Sequence, residues 1–349
     1  MNWLLYGANG YTGELIAREA ARRGLRPILA GRSRPAIEAL ARELGLESRA
    51  FALDGAGPAQ GALDGVGLVL HCAGPFSATA AAMMSACVRA RAHYLDITGE
   101  ITVFEMAQSR SALAHAAGVV LCPGVGFDVV PTDCIALALL ERMPDATHLA
   151  LGFDGASSFS RGTAKTMVEG LSKGGCVRVD GALLPVPLGY HDRRIDFGAG
   201  EKSAMTIPWG DVSTAYYTTG IRNIEVYVPI SARRIAQARR LNRLRWLLGL
   251  PAVQRFMKAR VARQPPGPDE RQRATTPTHV WGEVVNAGGQ SLTGRIVTAN
   301  GYTVTVHAAL GIVERLLRGA APAGAMTPAR LMGARYVETL PGSGPLVIV

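Results

Sequence analysis

The sequence has few cysteines and no long apolar run, and these absences exclude several classes of protein. Its five cysteines are scattered and form no CxxC pair, so neither a zinc site nor a disulfide framework is indicated. The seven histidines show no HExxH or other paired spacing, so no metal is expected. No uninterrupted apolar run is long enough to span a bilayer. Because neither a basic leader nor a cleavage pattern precedes the first apolar run, we expect a cytoplasmic protein.

Acidic residues are absent from one long stretch. None lies between Glu225 and Asp269, and the ten cations of that stretch equal the whole formal net charge of +10. We call residues 233–263 the basic segment, and we predict that it is helical with a break near residues 249–251. Apolar residues interleave with its arginines. Three interpretations stay open: a solvated helix face, a peripheral site on an anionic membrane, or a docking site for an acidic carrier protein. No recognised motif for nucleic acid accompanies the charge, so no such partner is expected.

The first 130 residues alternate short apolar strands with helical segments. This pattern is typical of a parallel sheet covered on both faces, so we predict an α/β fold with an N-terminal Rossmann-like, doubly wound parallel sheet. The predicted strands are residues 2–6, 27–30, 49–53, 67–71, 94–96 and 119–122, and the predicted helices are residues 12–23, 35–44, 79–91 and 103–117.

The pattern changes after residue 130, and residues 131–300 are predicted to form a second, α+β domain for substrate binding or dimerisation. It begins with a helix at 132–142, and strand periodicity dominates from 147 to 228 around one helix near 162–171. A loop is expected at 263–277 and a hairpin at 278–286 and 291–298. Residues 301–349 form a C-terminal segment with predicted helices at 303–317 and 326–340.

The motif GANGYTG joins the first strand to the first helix. Glycine residues in such a turn let the backbone approach a pyrophosphate, whose charge is stabilised by the free N–H groups and the dipole at the start of the helix. The predicted cofactor-binding residues of the motif are Gly7, Gly10, Tyr11, Thr12 and Gly13. A tight strand-to-helix turn without a ligand is the alternative.

The end of the second predicted strand distinguishes between the two nicotinamide dinucleotides. An NAD site usually places a carboxylate there, but no acidic residue occurs between Glu19 and Glu38. The strand instead ends with Arg32 and Ser33, and a guanidinium suits the 2′-phosphate of NADP. We therefore expect NADP(H). Asp54, after the third strand, is a candidate contact for the adenine.

Polar clusters follow three further strands, in HCAGPF, YLDITGE and CPGVGFDVVPTD. The carboxyl ends of parallel strands share one edge of the sheet, where cofactors and substrates bind. From these clusters the predicted catalytic residues are Tyr94, Asp96 and Asp128, because reduction by a nicotinamide also requires a proton donor or a partner for negative charge. No tyrosine lies four residues before a lysine, which excludes the short-chain dehydrogenase arrangement.

The motifs GANGYTG, AGRS, CAGPF, HYLDITGE and GVGFDVVPTD together resemble the saccharopine dehydrogenase-like oxidoreductases, above all their trans-acting enoyl reductase branch. The resemblance implies that the nicotinamide half lies along Ala73, Gly74, Pro75 and Phe76, and it adds Gly99 to the cofactor-binding residues. It also implies a C-terminal segment packed on the Rossmann domain, and a homodimer. His71 departs from the family, which often has asparagine at that position.

The resemblance implies an NADP(H)-dependent enzyme that reduces the C=C bond of a small-molecule or carrier-bound acyl or polyketide substrate. One alternative is a saccharopine-type dehydrogenase that acts on an amino-acid imine, for which several arginines of the second domain would bind the carboxylates. A second alternative is a non-catalytic NADP-binding or membrane-associated scaffold.

Overall fold

The computed structural model of the protein describes residues 1–53, 61–155, 160–319 and 321–349. Its chain divides into two compact units, and each unit is made of two stretches of sequence. The first unit comprises Met1–Val130 and Tyr302–Met332, and the second comprises Pro131–Gly301 and Gly333–Val349. The predicted C-terminal segment 301–349 is therefore shared between the two units.

The β-strands are short in the first unit and longer in the second. In chain order, the strands of the described residues are β1 (Asn2–Tyr6), β2 (Ile28–Gly31), β3 (Ser48–Ala50), β4 (Val66–His71), β5 (His93–Asp96), β6 (Val120–Cys122), β7 (Ala146–Gly155), β8 (Gly175–Val179), β9 (Ala182–Val186), β10 (Asp192–Asp196), β11 (Glu201–Thr206), β12 (Asn223–Pro229), β13 (Thr278–Asn286), β14 (Ser291–Thr298), β15 (Gly324–Ala325) and β16 (Val347–Ile348).

Helices follow most strands of the first unit and are fewer between the strands of the second. The α-helices of the described residues are α1 (Tyr11–Arg22), α2 (Arg34–Leu44), α3 (Phe76–Ala90), α4 (Ile101–Ser109), α5 (Ser111–Ala117), α6 (Val130–Arg142), α7 (Arg161–Gly170), α8 (Asp211–Thr219), α9 (Ala232–Leu241), α10 (Pro251–Ala262), α11 (Glu270–Thr275), α12 (Gly301–Leu317) and α13 (Pro328–Met332). Two 3₁₀-helices span Asn242–Gly249 and Tyr336–Thr339.

The first unit contains a parallel sheet in the order β15-β6-β5-β4-β1-β2-β3. Within it, strands β1 to β6 have the 3-2-1-4-5-6 order of a doubly wound dinucleotide-binding fold, with the change of direction between β1 and β4. Strands β1 and β4 are almost wholly buried because helices cover both faces, which explains their continuous apolar sequence. The predicted Rossmann-like fold is confirmed.

The second unit contains a mixed sheet in the order β10-β11-β12-β7-β13-β14-β16, and the β8–β9 hairpin joins it through β12. Strands β7 and β12 are parallel, whereas the other pairs are antiparallel. Glycine allows α6 to approach the sheet closely, because a Cβ atom at Gly282 would lie 2.5 Å from Cγ2 of Ile135. This confirms the prediction of a second domain that contains both helices and strands.

Some predicted elements agree with the structure and others differ for local reasons. The hairpin of β13 and β14 has the predicted bounds. The helix predicted at 103–117 is interrupted at Arg110, whose guanidinium donates to the Ala81 carbonyl. The helix predicted at 326–340 ends at Gly333, where φ is +91°. The predicted loop at 263–277 contains α11, which Asp269 caps.

None of the helices in the described stretches combines the length and the apolar character that crossing a bilayer requires.

Candidate functional site

The glycine motif turns sharply after β1 and packs against the segment that follows β4. Gly7 has a φ of +82°, which disfavours any other residue, and its N–H donates to the Ala30 carbonyl at 2.7 Å. A Cβ atom at Gly7 would lie 2.8 Å from the backbone nitrogen of Ala73 and 2.9 Å from the carbonyl carbon of Cys72. The loops after β1 and β4 therefore meet through backbone alone, where only glycine fits.

The start of α1 packs on the same turn. A Cβ atom at Gly13 would lie 2.2 Å from the Gly7 carbonyl oxygen, so the helix can approach the loop only with glycine there. Gly10 precedes the helix in an extended conformation, and no side chain among the described residues caps it. The backbone N–H groups and the dipole at this helix start make a suitable binding site for a phosphate, and Thr12 lies half-buried beside it.

Arg32 lies exposed immediately after β2, beside the exposed Ser33. No carboxylate of the described residues pairs with Arg32. Several other arginines of the first 40 residues instead bind glutamates: Arg18 binds Glu14 and Glu43, Arg22 and Arg23 bind Glu19, and Arg34 binds Glu38. A free guanidinium in this position suits a phosphate ligand. Asp54, the predicted adenine contact, lies outside the described residues.

Two side chains, Glu100 and His71, hold the segment that follows β4. Ala73, Gly74 and Pro75 lie at the carboxyl edge of the sheet, with a cis peptide bond between Gly74 and Pro75. Both oxygens of the Glu100 carboxylate accept backbone N–H groups at the start of α3, from Phe76 and from the next residue, each at 2.8 Å. Glu100 therefore caps α3 and joins the loop after β5 to the loop after β4.

His71 supports the same segment through the hydroxyl group of Thr79. It is fully buried and its Nε2 lies 2.9 Å from the hydroxyl of Thr79, which in turn donates to the Ala73 carbonyl at 2.9 Å. Burial lowers the pKa of His71 to about 3, so its ring is neutral. The ring packs edge-on against Phe76. Histidine at position 71 thus supports the loop after β4 through a hydrogen bond to Thr79.

Tyr94 and Asp96 form a buried pair at the end of β5. The Tyr94 hydroxyl donates to Oδ2 of Asp96 at 2.6 Å, and Oδ1 accepts the backbone N–H groups of Thr98 and Gly124, both at 2.9 Å. Neither side chain is exposed. Burial raises the pKa of Asp96 to about 6, although these three donors oppose the shift. The pair ties the loops after β5 and β6 together, and this geometry favours a positioning role.

Asp128 has a different environment from Asp96. It lies half-buried in the loop after β6, next to Gly99, whose Cβ position is 3.0 Å from Oδ2 of Asp128. No group of the described residues donates a hydrogen bond to its carboxylate. Burial without a compensating donor raises the pKa of Asp128 to about 7. Asp128 therefore combines access to the surface with a pKa suited to proton transfer near neutral pH.

Helix α12 contributes residues that sequence reasoning missed. Oγ1 of Thr305 accepts the backbone N–H of Phe127 at 2.9 Å and so fixes the residue next to Asp128. The ring of Tyr302 meets the ring of Tyr11 edge-on, with centroids 5.2 Å apart. No local pattern links α12 with residues 178 and 291 positions earlier in the chain, so only the folded chain reveals these contacts.

The described loops after β1, β2, β4, β5 and β6 together carry the predicted glycines, Arg32, Ser33, the segment 73–76, Gly99 and Asp128. They offer an anion site at a helix start, a free guanidinium, and a carboxyl group of raised pKa. This donor set fits a dinucleotide cofactor. Among the described residues, no group of histidine, cysteine and acidic side chains is arranged to hold a metal ion.

Comparison with known proteins agrees with this geometry. Residues 3–122 match the model of the saccharopine dehydrogenase NADP binding domain. A protein of Mycobacterium tuberculosis named as a trans-acting enoyl reductase is 30% identical over 193 residues, which cover 48% of this chain and 44% of that protein. A human protein named saccharopine dehydrogenase-like oxidoreductase is 29% identical over 162 residues, covering 40% of this chain and 37% of its own. The chain thus spans less than half the length of these curated relatives.

A solved structure shares the fold over the whole chain. The apo saccharopine dehydrogenase (L-Glu forming) of Saccharomyces cerevisiae superposes with a TM-score of 0.68 at 10% identity, and the match covers 100% of this chain and 99% of that one. At this identity the likeness concerns the fold alone.

Proposed function

We propose that this chain is an NADPH-dependent oxidoreductase of the saccharopine dehydrogenase-like kind and that it reduces the C=C bond of an acyl or polyketide substrate. The matching NADP-binding domain at residues 3–122 and the partial matches to two named relatives support this proposal. In this reaction the β-carbon of a conjugated enoyl group receives a hydride, and the α-carbon receives a proton. The nicotinamide, when bound, supplies the hydride. The protein must hold the cofactor, orient the substrate and deliver the proton.

NADP(H) rather than NAD(H) is the proposed cofactor. Arg32 and Ser33 would bind the 2′-phosphate, because the guanidinium has no carboxylate partner among the described residues. In addition, no acidic side chain directly follows β2, since Glu38 is the first acidic residue after it. The turn from Gly7 to Gly13 would hold the pyrophosphate, and residues 73–76 would contact the nicotinamide half. The name of the matching domain supports the same cofactor.

Asp128 is the proposed proton donor. Its pKa of about 7 keeps a substantial protonated fraction at neutral pH, whereas an ordinary aspartic acid would be ionised. Tyr94 and Asp96, the other two predicted catalytic residues, are buried and bind each other. We therefore propose that they position the loops on which Gly99 and Asp128 lie.

The proposal about the substrate is supported by the five arginines that lie between residues 147 and 227 of the second unit. A saccharopine-type substrate has several carboxylates and requires free guanidinium groups. The five arginines between residues 147 and 227 are all engaged with the protein. Two bind carboxylates, Arg193 with Glu283 and Arg194 with Glu201, and three donate to backbone carbonyl groups, namely Arg161, Arg178 and Arg222. Within the described part of residues 147–227, therefore, no arginine is left without a protein partner for the carboxylates of an amino-acid imine, which supports the proposal of an acyl substrate.

The experiment is a comparison of substrates with the purified protein and NADPH. We expect oxidation of NADPH with an enoyl thioester and formation of a product heavier by two hydrogens, detected by mass spectrometry. NADPH deuterated at the transferred position should place deuterium at the β-carbon. Turnover with an amino acid plus a 2-oxo acid, and none with enoyl thioesters, would refute the enoyl proposal in favour of the imine. NADPH binding without turnover of either class would support a non-catalytic scaffold.

A further inference from the structure

The basic segment carries a group of large apolar side chains on its surface. Trp246 is 66% exposed, Phe256 is 69% exposed and Leu244 is 54% exposed, and Leu241 and Leu250 are exposed as well. Leu241 ends α9, Leu244 and Trp246 lie in the 3₁₀-helix, Leu250 is the extended residue before α10, and Phe256 lies in α10. Five large apolar side chains exposed within one short, strongly basic segment favour an interaction surface over an ordinary solvated helix face.

Most cations of the basic segment have no carboxylate partner. Arg239 pairs with Asp192 and Lys258 pairs with Glu169. No ion pair within the described residues involves the remaining arginines of the segment, which are Arg233, Arg234, Arg240, Arg243, Arg245, Arg255, Arg260 and Arg263. Because the segment contains no acidic residue, its positive charge is uncompensated locally. Its natural complement is an anionic surface.

Defined contacts hold the segment to the second unit. Arg239 donates to the Gly189 carbonyl at 2.8 Å, and Asn242 exchanges hydrogen bonds with the backbone of Leu188. Gln254 donates to the Val168 carbonyl at 3.0 Å, and the ion pair of Lys258 lies on the same side of α10. These contacts leave Trp246 and Phe256 exposed while fixing the helices that carry them.

We propose that the basic segment binds peripherally to the surface of an anionic lipid membrane. The unpaired arginines would meet the headgroups, and Trp246, Phe256 and the exposed leucines would enter the interface between headgroups and acyl chains. Arginine suits this position because its apolar stem can lie along the interface while its guanidinium stays among phosphates. This proposal goes beyond the enzymatic one and does not depend on it.

The apolar side chains favour a lipid surface over an acidic carrier protein. A protein partner needs a matching pocket for each large side chain that it buries, whereas a bilayer interface accepts them without shape complementarity. Five such side chains spread over sixteen residues fit the second situation more simply. An acidic carrier protein is therefore treated as a competing outcome of the experiment.

Trp246 provides an internal probe for the test. Of the four tryptophans, Trp3 and Trp281 are buried, Trp209 is half-buried, and Trp246 is exposed. Mixing the full chain with vesicles of phosphatidylcholine and phosphatidylglycerol at low salt should shift the tryptophan emission to shorter wavelength and sediment the protein with the vesicles. Vesicles of phosphatidylcholine alone should do neither. Trp246→Phe should abolish the emission shift while sedimentation persists.

Charge variants distinguish binding through the basic segment from attraction by the net charge of the whole protein. Arg240→Gln/Arg243→Gln should weaken binding to the mixed vesicles on the order of 30-fold, since each arginine near such a surface contributes about fivefold. Arg42→Gln/Arg89→Gln removes the same charge from exposed positions of the first unit and should leave binding unchanged. Phe256→Ser should weaken binding by a similar factor at low and at high salt, because it removes an apolar contribution that salt does not screen, whereas the effect of the arginine variants should shrink as salt rises.

Three results would overturn the proposal. The first is failure of the wild-type chain to bind the mixed vesicles at low salt. The second is an equal loss of binding in the Arg42/Arg89 control, which would indicate net charge alone. The third is binding of a purified acidic acyl carrier protein, abolished by Arg240→Gln/Arg243→Gln, without any binding to vesicles. NADPH binding and turnover, measured on the same variants, should not change, so the outcome is independent of the enzymatic proposal.

Discussion

At the scale of single residues, Asp96 and Asp128 show how environment separates two aspartic acids. Both lie at the carboxyl edge of the first sheet, and burial raises the pKa of each. Asp96 accepts three hydrogen bonds from the protein, which compensate its charge and occupy both of its oxygens. Asp128 has no such donor among the described residues. The first is therefore suited to hold loops together, and the second to exchange a proton.

The first prediction concerns Asp128. Asp128→Asn should lower kcat by about 10²- to 10⁴-fold, because the amide keeps the shape of the side chain but cannot deliver a proton. A proton donor is active in its acid form, which predominates below its pKa. The reduction rate of the wild type should therefore fall as the pH rises through about 7. The variant should lack this step in a pH–rate profile.

Tyr94→Phe is the control for Asp128. It removes the hydroxyl that donates to the buried carboxyl group of Asp96 and should lower the free energy of unfolding by about 1–3 kcal/mol while the pH step remains. An unchanged kcat for Asp128→Asn, or an equally large loss of kcat for Tyr94→Phe without loss of stability, would contradict the proposed roles.

The second prediction concerns Arg32. Arg32→Ala should weaken NADPH binding by about 10- to 100-fold, because a charge-assisted contact to the 2′-phosphate is lost, and NADH binding should stay unchanged. Calorimetric titration measures both affinities. Arg42→Ala, which removes another exposed arginine without an ion pair among the described residues, should alter neither affinity. An equal loss for NADPH and NADH would mean that Arg32 does not read the 2′-phosphate.

At the scale of elements, the turn between β1 and α1 depends on backbone packing without side chains. Gly7 meets the chain after β4, and Gly13 meets Gly7, so that strand, turn and helix are in contact through backbone atoms. The same packing brings the start of α1 to the edge of the sheet where the other loops end. The proposed cofactor site should therefore be sensitive to one added methyl group, because the atoms that the methyl group would meet belong almost entirely to the backbone.

The third prediction tests this packing. Gly13→Ala should lower the free energy of unfolding by about 1–3 kcal/mol and remove NADPH binding, since its Cβ would lie 2.2 Å from the Gly7 carbonyl oxygen and α1 would have to shift. Thermal unfolding and calorimetry measure the two effects. Gly170→Ala at the end of α7 is the matched control, because no atom lies within 4 Å of its Cβ position. Wild-type affinity in Gly13→Ala would show that α1 accommodates the methyl group.

At the scale of the whole molecule, the first unit is built from two stretches of sequence that are separated by most of the second unit. Helix α12 buries nine residues, and its Glu314 pairs with Arg23 of the first unit at 3.2 Å. Strand β15 then adds to the edge of the parallel sheet beside β6. Residues after 300 thus complete a unit that begins at the first residue of the described chain.

The fourth prediction follows from this connectivity. A fragment of residues 1–130 should lack a cooperative thermal transition and should not bind NADPH measurably, because it loses the support of α12 for the loop at Phe127. Circular dichroism and calorimetry provide the readouts. The same fragment joined by a flexible linker to residues 301–332 should regain both properties. If residues 1–130 bound NADPH as tightly as the full chain, α12 would be dispensable for the site.

The sequence by itself determined the fold of the first unit and the location of the glycine-rich and polar loops at the ends of its strands, because short apolar strands, helix periodicity and glycine turns are local properties of the chain. It also identified Arg32 and Asp128 as candidate functional residues, because both lie in loops that follow predicted strands. Only the tertiary structure decided what neighbouring side chains do: Tyr94 and Asp96 are buried and bind each other, Glu100 caps α3, and Thr305 supports the loop at Phe127. Hydrogen-bond partners and burial depend on residues distant in sequence, and a linear pattern contains no record of them.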